Sequence, residues 1–565
     1  AQQAAEYAVP NEIDKLYNGM GGTALNAHTS YEETVYKVGL SSNRLEQWAE
    51  IESNRFVNPV FRLFHTELET VYEEKNRTLD NSGRIIGTAV DELMWKQHPY
   101  GQQPTIGTVD HLKNPSLVYI RNYFDTYYVP NNMGIFMSGD IDSEATIALI
   151  SEKFAHWESK AVADVGPWVE QPLQGAERRT VQYPGQEQVQ IAFRTAANTS
   201  SEKEALIMVD MILDNRTAGL INLNLNQQQL VAGAGSSPMF LNDYGVQQLY
   251  GAPKRDQSLE EVEQLLLDQI EIIKAGDFED WIIPAIINDF KKNEKASQEF
   301  NTARVSVMRT AFIEGAEWDH HIAEIQRMEQ LTKQDVIDAA NKYFGDDYVA
   351  VYRVDAQHEV PPVEKPQIDP VTIDPTRQSE FARAVLAMDY SEIEPSFVEV
   401  DSDYRVVEFA DGVELYYAPN PLNDLFTLSI NVEVGTEENE KLGLSAALMN
   451  VAGTQNMSNE ELQKEWYRMG SDFRFGSGEN SSAIAVSGLD EQFENSLQLA
   501  MELVNTPATD EQTLEQLKGI LLKSREDQKS SPPAIARALN MYDRYGEESP
   551  MLEALSSEEI NDTTL

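Results

Sequence analysis

A stretch near the N-terminus of this chain returns, in order, near the C-terminus. Met20-Gly21 pairs with Met469-Gly470 and Gly39-Leu40 with Gly488-Leu489, at a constant separation. One deletion later, Glu67 falls on Glu515 and Glu74 on Leu522. Self-similarity of this kind is the mark of one folding unit used twice, because each copy must bury the same apolar pattern in the same way.

The segments around the repeat divide the chain. Its 565 residues with 41% hydrophobic content are enough for several cores, and three units fit best. Residues 1–165 alternate helix and strand signals and close with Met133-Gly134-Ile135-Phe136-Met137-Ser138-Gly139-Asp140, a buried-strand pattern, before an amphipathic helix. Residues 166–355 open on a strand at Val181 and end on Tyr348-Val349-Ala350-Val351-Tyr352-Arg353-Val354, with long helical patterns between. From 356 to 400, Pro361, Pro362, Pro366, Pro370, Pro375 and Pro395 interrupt any regular element, which predicts a linker joining two halves. Residues 401–565 begin with a hairpin turning at Asp411-Gly412. The fold class is α+β.

A net charge of −49 excludes nucleic acid as a partner, since affinity for phosphate backbones comes from lysine and arginine. The acidity is spread along the chain, which suits saline surroundings or a field that attracts cationic peptides. With no cysteine there are no disulfides or thiolate metal sites, leaving nitrogen and oxygen ligands. No run of about 18 apolar residues predicts a membrane span. The polar start Ala1-Gln2-Gln3-Ala4-Ala5-Glu6 has no charged region followed by an apolar core, so it does not read as a signal peptide.

Two segments carry chemistry. Gly21-Gly22 reads as a turn feeding an edge strand through Asn26, Ala27, His28 and Thr29. The run Glu67-Leu68-Glu69-Thr70-Val71-Tyr72-Glu73-Glu74 reads as a helix, and seven positions place Glu67 and Glu74 on one face. In a chain with 93 acidic residues, two such glutamates also fit a plain solvated face. The strand could equally be an ordinary edge that needs protection. Gly233-Ala234-Gly235-Ser236-Ser237 has neither the lysine nor the third glycine of a phosphate cradle and is expected to be a flexible loop.

Together these segments resemble the pitrilysin/insulinase family of inverted-motif zinc peptidases, the two-halved single-chain type related to mitochondrial processing peptidase. The His98-Pro99-Tyr100-Gly101 segment, followed by Ile106-Gly107, is similar to a loop of that family's first domain. The resemblance implies repeated domains, each a mostly antiparallel sheet packed with helices, set as two halves of a clamshell. It implies an Asn-Ala-x-Thr strand, matched by Asn26, Ala27 and Thr29, that takes the substrate as an added strand. Glu74 matches the distal zinc ligand and Glu67 a supporting carboxylate. The family's other ligands are two histidines of an H-x-x-E-H helix, whose glutamate is the general base. None of the eight histidines here stands in that motif. In the third unit Ala446, Met449 and Asn450 occupy its places and Leu522 replaces the carboxylate, so that copy is degenerate. The expectation is a chain that starts just after the zinc helix and stops before a fourth domain. Its parent is expected to be a zinc-dependent endopeptidase that cleaves extended peptides in an enclosed chamber, exported in a bacterium to the periplasm or beyond. The fragment itself would be inactive. The alternative is a non-catalytic member acting as a peptide-binding or assembly subunit.

Overall fold

The computed structural model describes residues 7–565 apart from 58, 62–63, 80, 114, 164–165, 358–373 and 530. In the first unit α1 (Glu12–Gly19) leads into an antiparallel hairpin of β1 (Thr23–Thr29) and β2 (Thr34–Gly39). Helices α2 (Leu45–Arg55), α3 (Phe64–Leu79) and α4 (Ser82–Met94) follow. Leu16, Tyr17 and Met20 close a small core with Ile51 of α2.

Helix α4 joins this unit to the next. The Asn81 side chain accepts the Arg84 N–H and caps the helix. Ile86, Ala89, Val90 and Met94 recur at helical spacing along one face. With Trp95 they pack on Ala192, Val246, Val349 and Val351, which belong to the sheet of the second unit.

That sheet contains β3 (Glu177–Gln182), β4 (Gln188–Thr195), β5 (Gly233–Phe240), β6 (Gly245–Ala252) and β7 (Val349–Val354), in the order β3-β7-β4-β6-β5. Only the β3–β7 pair is parallel. Its other face meets α5 (Lys203–Leu213) and α6 (Leu259–Ala275): Ile191, Phe193, Ala350 and Tyr352 share a core with Leu206, Val209, Val262 and Leu266. Strand β7 is covered on both sides, which is why its sequence is a nearly unbroken apolar run. Helix α7 (Ile282–Gln298) lies beyond α6.

The third unit holds a hairpin of β8 (Arg405–Ala410) and β9 (Val413–Tyr417), turning at Gly412 with φ 73° as the Asp-Gly pair predicts. A second sheet is built from β10 (Leu425–Val432), β11 (Asp472–Ser477) and β12 (Ser482–Leu489), in the order β10-β12-β11. Helix α8 (Leu442–Met449) precedes α9 (Asn459–Met469), and α10 (Phe493–Asn505), α11 (Glu511–Gln528) and α12 (Pro532–Tyr545) follow the sheet. From α9 onward the elements repeat the order of α1 to α4, each copy even placing a 3₁₀ turn after its hairpin (Ser42–Arg44, Asp490–Gln492). Both hairpins turn through the same interval, between Thr29 and Thr34 and between Ser477 and Ser482. Between Thr23 and Asn26 the first copy has one extra residue, a bulge with Ala24 at φ 51°. Counted from the turns, hairpin register matches Ala27 with Phe475 and Gly39 with Ser487, so the one-residue step falls at this bulge and the sequence pairing of Gly39 with Gly488 is off by one.

Three expectations differ from the structure. Residues 133–139 join no strand among the described residues, and Ile135 is exposed; an apolar run does not supply the partner that a ladder needs. The Gly233–Ser237 segment is not a loop but the start of edge strand β5, paired with β6. Much of the proline-rich linker falls on residues 358–373, outside the described residues, but beyond them Glu380–Leu386 forms a helix capped by Ser379. No proline lies between Pro375 and Pro395 to prevent it. Ala382 and Val385 of this helix pack on Leu16, Tyr17 and Met20 of the first unit.

Candidate functional site

Among the described residues, strand β1 pairs only with β2. Asn26, Ala27 and Thr29 are all exposed along it, whereas His28 is half-buried. The Ala27 N–H donates to the Asn26 carboxamide oxygen at 2.8 Å. His28 turns toward the hairpin loop, its Nε2 3.4 Å from Glu33 Oε1, and is not offered as a ligand.

The hairpin is fixed at its tip. Glu32 accepts the Tyr100 hydroxyl hydrogen and, at 2.8 Å, a hydrogen from Asn242 Nδ2 in the second unit. The second oxygen of Glu33 lies 3.2 Å from Arg309 Nε. Tyr31 donates to Asp91 Oδ2 at 3.1 Å. Burial pushes the Asp91 carboxyl up to about 6, against the Tyr31 hydrogen bond that lowers it and with Glu92 raising it further. Burial also raises the Tyr31 and Tyr100 hydroxyls. His98 is buried, with Nε2 3.0 Å from Asp243 Oδ2. The His98–Gly101 loop singled out by its sequence thus anchors the edge strand to the second unit. The residues that complete the anchor, Glu32, Asp91, Asn242 and Arg309, carry no local signal, because each acts through a partner far away in sequence.

Helix α3 has its buried side at Leu68 and Tyr72, four positions apart, packed with Leu112. The Tyr72 hydroxyl donates to the Leu112 carbonyl at 2.8 Å, and Lys75 Nζ to the Gly107 carbonyl at 3.1 Å. Burial, then Arg84, lowers the Lys75 ammonium. Glu67 and Glu74 are both exposed. Among the described residues no three histidine, aspartate or glutamate side chains converge as a metal site. The residues present therefore do not fit a zinc ion by themselves; Glu74 is a single oxygen donor and no chemical step is built on it.

Leu522 belongs to an apolar cluster with Leu444, Ala447 and Leu448 of α8 and Leu521 of α11.

Residues 117–290 match the peptidase M16 inactive domain. The zinc protease PqqE of Helicobacter pylori is 26% identical over 353 residues, 59% of this chain and 77% of that protein. The probable zinc protease PqqL of Escherichia coli is 28% identical over 166 residues, 28% of this chain but only 18% of that protein. Among solved structures, pitrilysin superposes with a TM-score of 0.57 at 13% identity, over 97% of this chain and 62% of that one. A structure described as the periplasmic protease PqqL from Escherichia coli superposes at 0.54 and 14% identity, over 99% of this chain and 66% of that one. These likenesses agree with the mixed helix and sheet architecture of two-halved, pitrilysin-like proteases. The chain therefore carries the M16 inactive domain within a pitrilysin-like fold and is a relative of the zinc proteases of that family.

Proposed function

We propose that this chain is the substrate-holding body of a zinc-dependent endopeptidase that takes extended peptides or unfolded segments into a chamber between its halves. On this reading the four divisions are 1–165, 166–355, a joining strap at 356–400, and 401–565. The peptide adds to β1 along Asn26, Ala27 and Thr29, where main-chain hydrogen bonds give affinity with little sequence selectivity. Zinc is the metal of the named relatives. Here it would be held by Glu74 and by the two histidines of an H-x-x-E-H helix, with Glu67 supporting from the same face of α3. No H-x-x-E-H stands in this sequence, so Glu74 and Glu67 by themselves do not complete that site. The relative from Escherichia coli is described as periplasmic, and export to that compartment is proposed here too.

One observation supports this most: Leu522, the sequence counterpart of Glu74, belongs to the same apolar cluster as Leu444, Ala447 and Leu448 of α8, the element at the place of the zinc helix in the third unit. By the repeat, this supports a Glu74 that faces the same place in the first unit. The test is metal content together with cleavage of a quenched peptide, in the chain extended to include that motif. Glu74→Gln should empty the site and lower hydrolysis beyond the roughly 10- to 100-fold that loss of a group supporting a ligand costs, whereas Glu67→Gln should stay within that range. Unchanged zinc content in Glu74→Gln removes Glu74 from the site. A second reading, a non-catalytic peptide-binding or assembly subunit, draws on the match to an inactive domain. It predicts no zinc in either protein, with peptide binding intact.

A further inference from the structure

Three of the hairpins present their first strands, β1, β5 and β11, as sheet edges. Two of these edges are closed by the same device. In the third unit Asn450, just after α8, donates from Nδ2 to the Phe475 carbonyl at 2.9 Å and accepts the Phe475 N–H through Oδ1 at 3.1 Å. In the second unit Asn226, at the end of the π-helical turn Asn222–Asn226, does the same to Ala234 of β5, both bonds measuring 2.9 Å. A carboxamide carries the donor and acceptor of a peptide group, so each side chain fills the place that one residue of an added strand would take. Strand β1 differs. Its register match to Phe475 is Ala27, whose N–H is held by the neighbouring Asn26 oxygen. No side chain among the described residues donates to the Ala27 carbonyl.

We propose that Asn450 is a backbone plug: the third unit has a second peptide-accepting edge at Arg474–Ser477, held shut by this carboxamide, while Asn226 seals β5 in the same manner. The occupant is an extended peptide. What the plug imitates is a main-chain group, Asn450 is exposed and free to swing aside, and the edge stands in the register of β1. Net charge of −49 favours basic segments. The choice of ligand rests on the reading of β1 as a substrate strand; the plug itself does not.

The experiment titrates a fluorescein-labelled, unstructured alanine- and lysine-rich nonapeptide into the full chain at low salt, by anisotropy. Asn450→Ala should bind one more peptide per chain than the wild type, and the gain should persist when Ala27→Pro removes the β1 donor. Phe475 N–H exchange should be about tenfold faster in Asn450→Ala, as loss of one ordinary hydrogen bond requires, and should slow again when peptide is added. Asn450→Asp keeps the size and the acceptor but cannot donate to the carbonyl. It should also gain binding, and it covers the case in which Asn450→Ala loosens α8. Unchanged stoichiometry in both variants, with the Phe475 amide exposed, overturns the proposal and leaves Asn450 as a tie between α8 and the sheet. Loss of wild-type binding in Ala27→Pro reports separately on the first edge, so the two readings fail independently.

Discussion

Asp91 shows how a single half-buried charge couples the hairpin to pH. Its carboxyl, raised to about 6 chiefly by burial, stands above the unfolded value of about 3.9. The folded state then binds more proton than the unfolded state between those values, so stability falls as pH rises through that window. The penalty is absent below about pH 4 and complete above about pH 6, at most about 3 kcal/mol and less with residual solvation. Asp210 in the second unit, raised to about 6 by burial beside Ser236 and Gln247, acts in the same sense. Asp91→Asn keeps an acceptor for the Tyr31 hydroxyl and removes the charge. It should gain about 1 to 2 kcal/mol at pH 7 and nothing at pH 4, read from urea denaturation at both values. An equal change at the two pH values would show that the charge does not carry the effect.

Among the elements, the turn after α4 is the tightest fit. A Cβ added at Gly101 would lie 2.3 Å from the Asp91 carbonyl oxygen and 2.6 Å from that of Trp95. Gly101→Ala should therefore cost about 1 to 3 kcal/mol through displaced backbone. It should also free Tyr100 from Glu32, seen as a lower melting temperature and a changed Trp95 fluorescence; wild-type values for both would refute the close approach. This contact also marks the limit of what the sequence carries. Period-two and period-3.6 patterns are local, so β7, the strand β1 and the shared face of Glu67 and Glu74 on α3 were legible in it. The strand state of Gly233–Ser237 was not, since it depends on Asn226, on Asp214 accepting the Ser236 N–H at 3.1 Å and on Asp210 accepting the Ser236 hydroxyl at 2.7 Å. For the same reason no pattern in α4 reveals that its apolar face covers a sheet more than a hundred residues away. At the candidate site, the shared exposure of Glu67 and Glu74 followed from helical spacing, but the convergence of ligands could not, because it is a property of several elements at once.

For the whole molecule the question is which electrostatic effect prevails, self-repulsion or pairing. Cations gather where the second and third units meet. Lys292 lies 3.1 Å from Asp289 and 2.9 Å from Asp472, Lys295 2.6 Å from Asp424, and Lys464 2.9 Å from Glu279, while Arg468 covers the Trp281 ring at 4.3 Å. Tyr467 of α9 enters the second unit's core at the same junction. These pairs are short and partly shielded; the rest of the 93 acidic residues repel one another over longer distances. Raising ionic strength from about 0.1 M to 1 M shortens the screening length from about 10 Å to about 3 Å, which removes the long-range repulsion and largely spares contacts that close. The melting temperature should therefore rise with sodium chloride. Lys292→Met strands Asp289 and Asp472 near the buried Tyr467 hydroxyl, and should lower stability by about 1 kcal/mol at low salt, as loss of a partly exposed pair does. Because the repulsion it adds is local, salt should recover little of that loss. A wild-type melting temperature that falls with salt would mean that the junction pairs, not the net charge, set the stability of the assembled units.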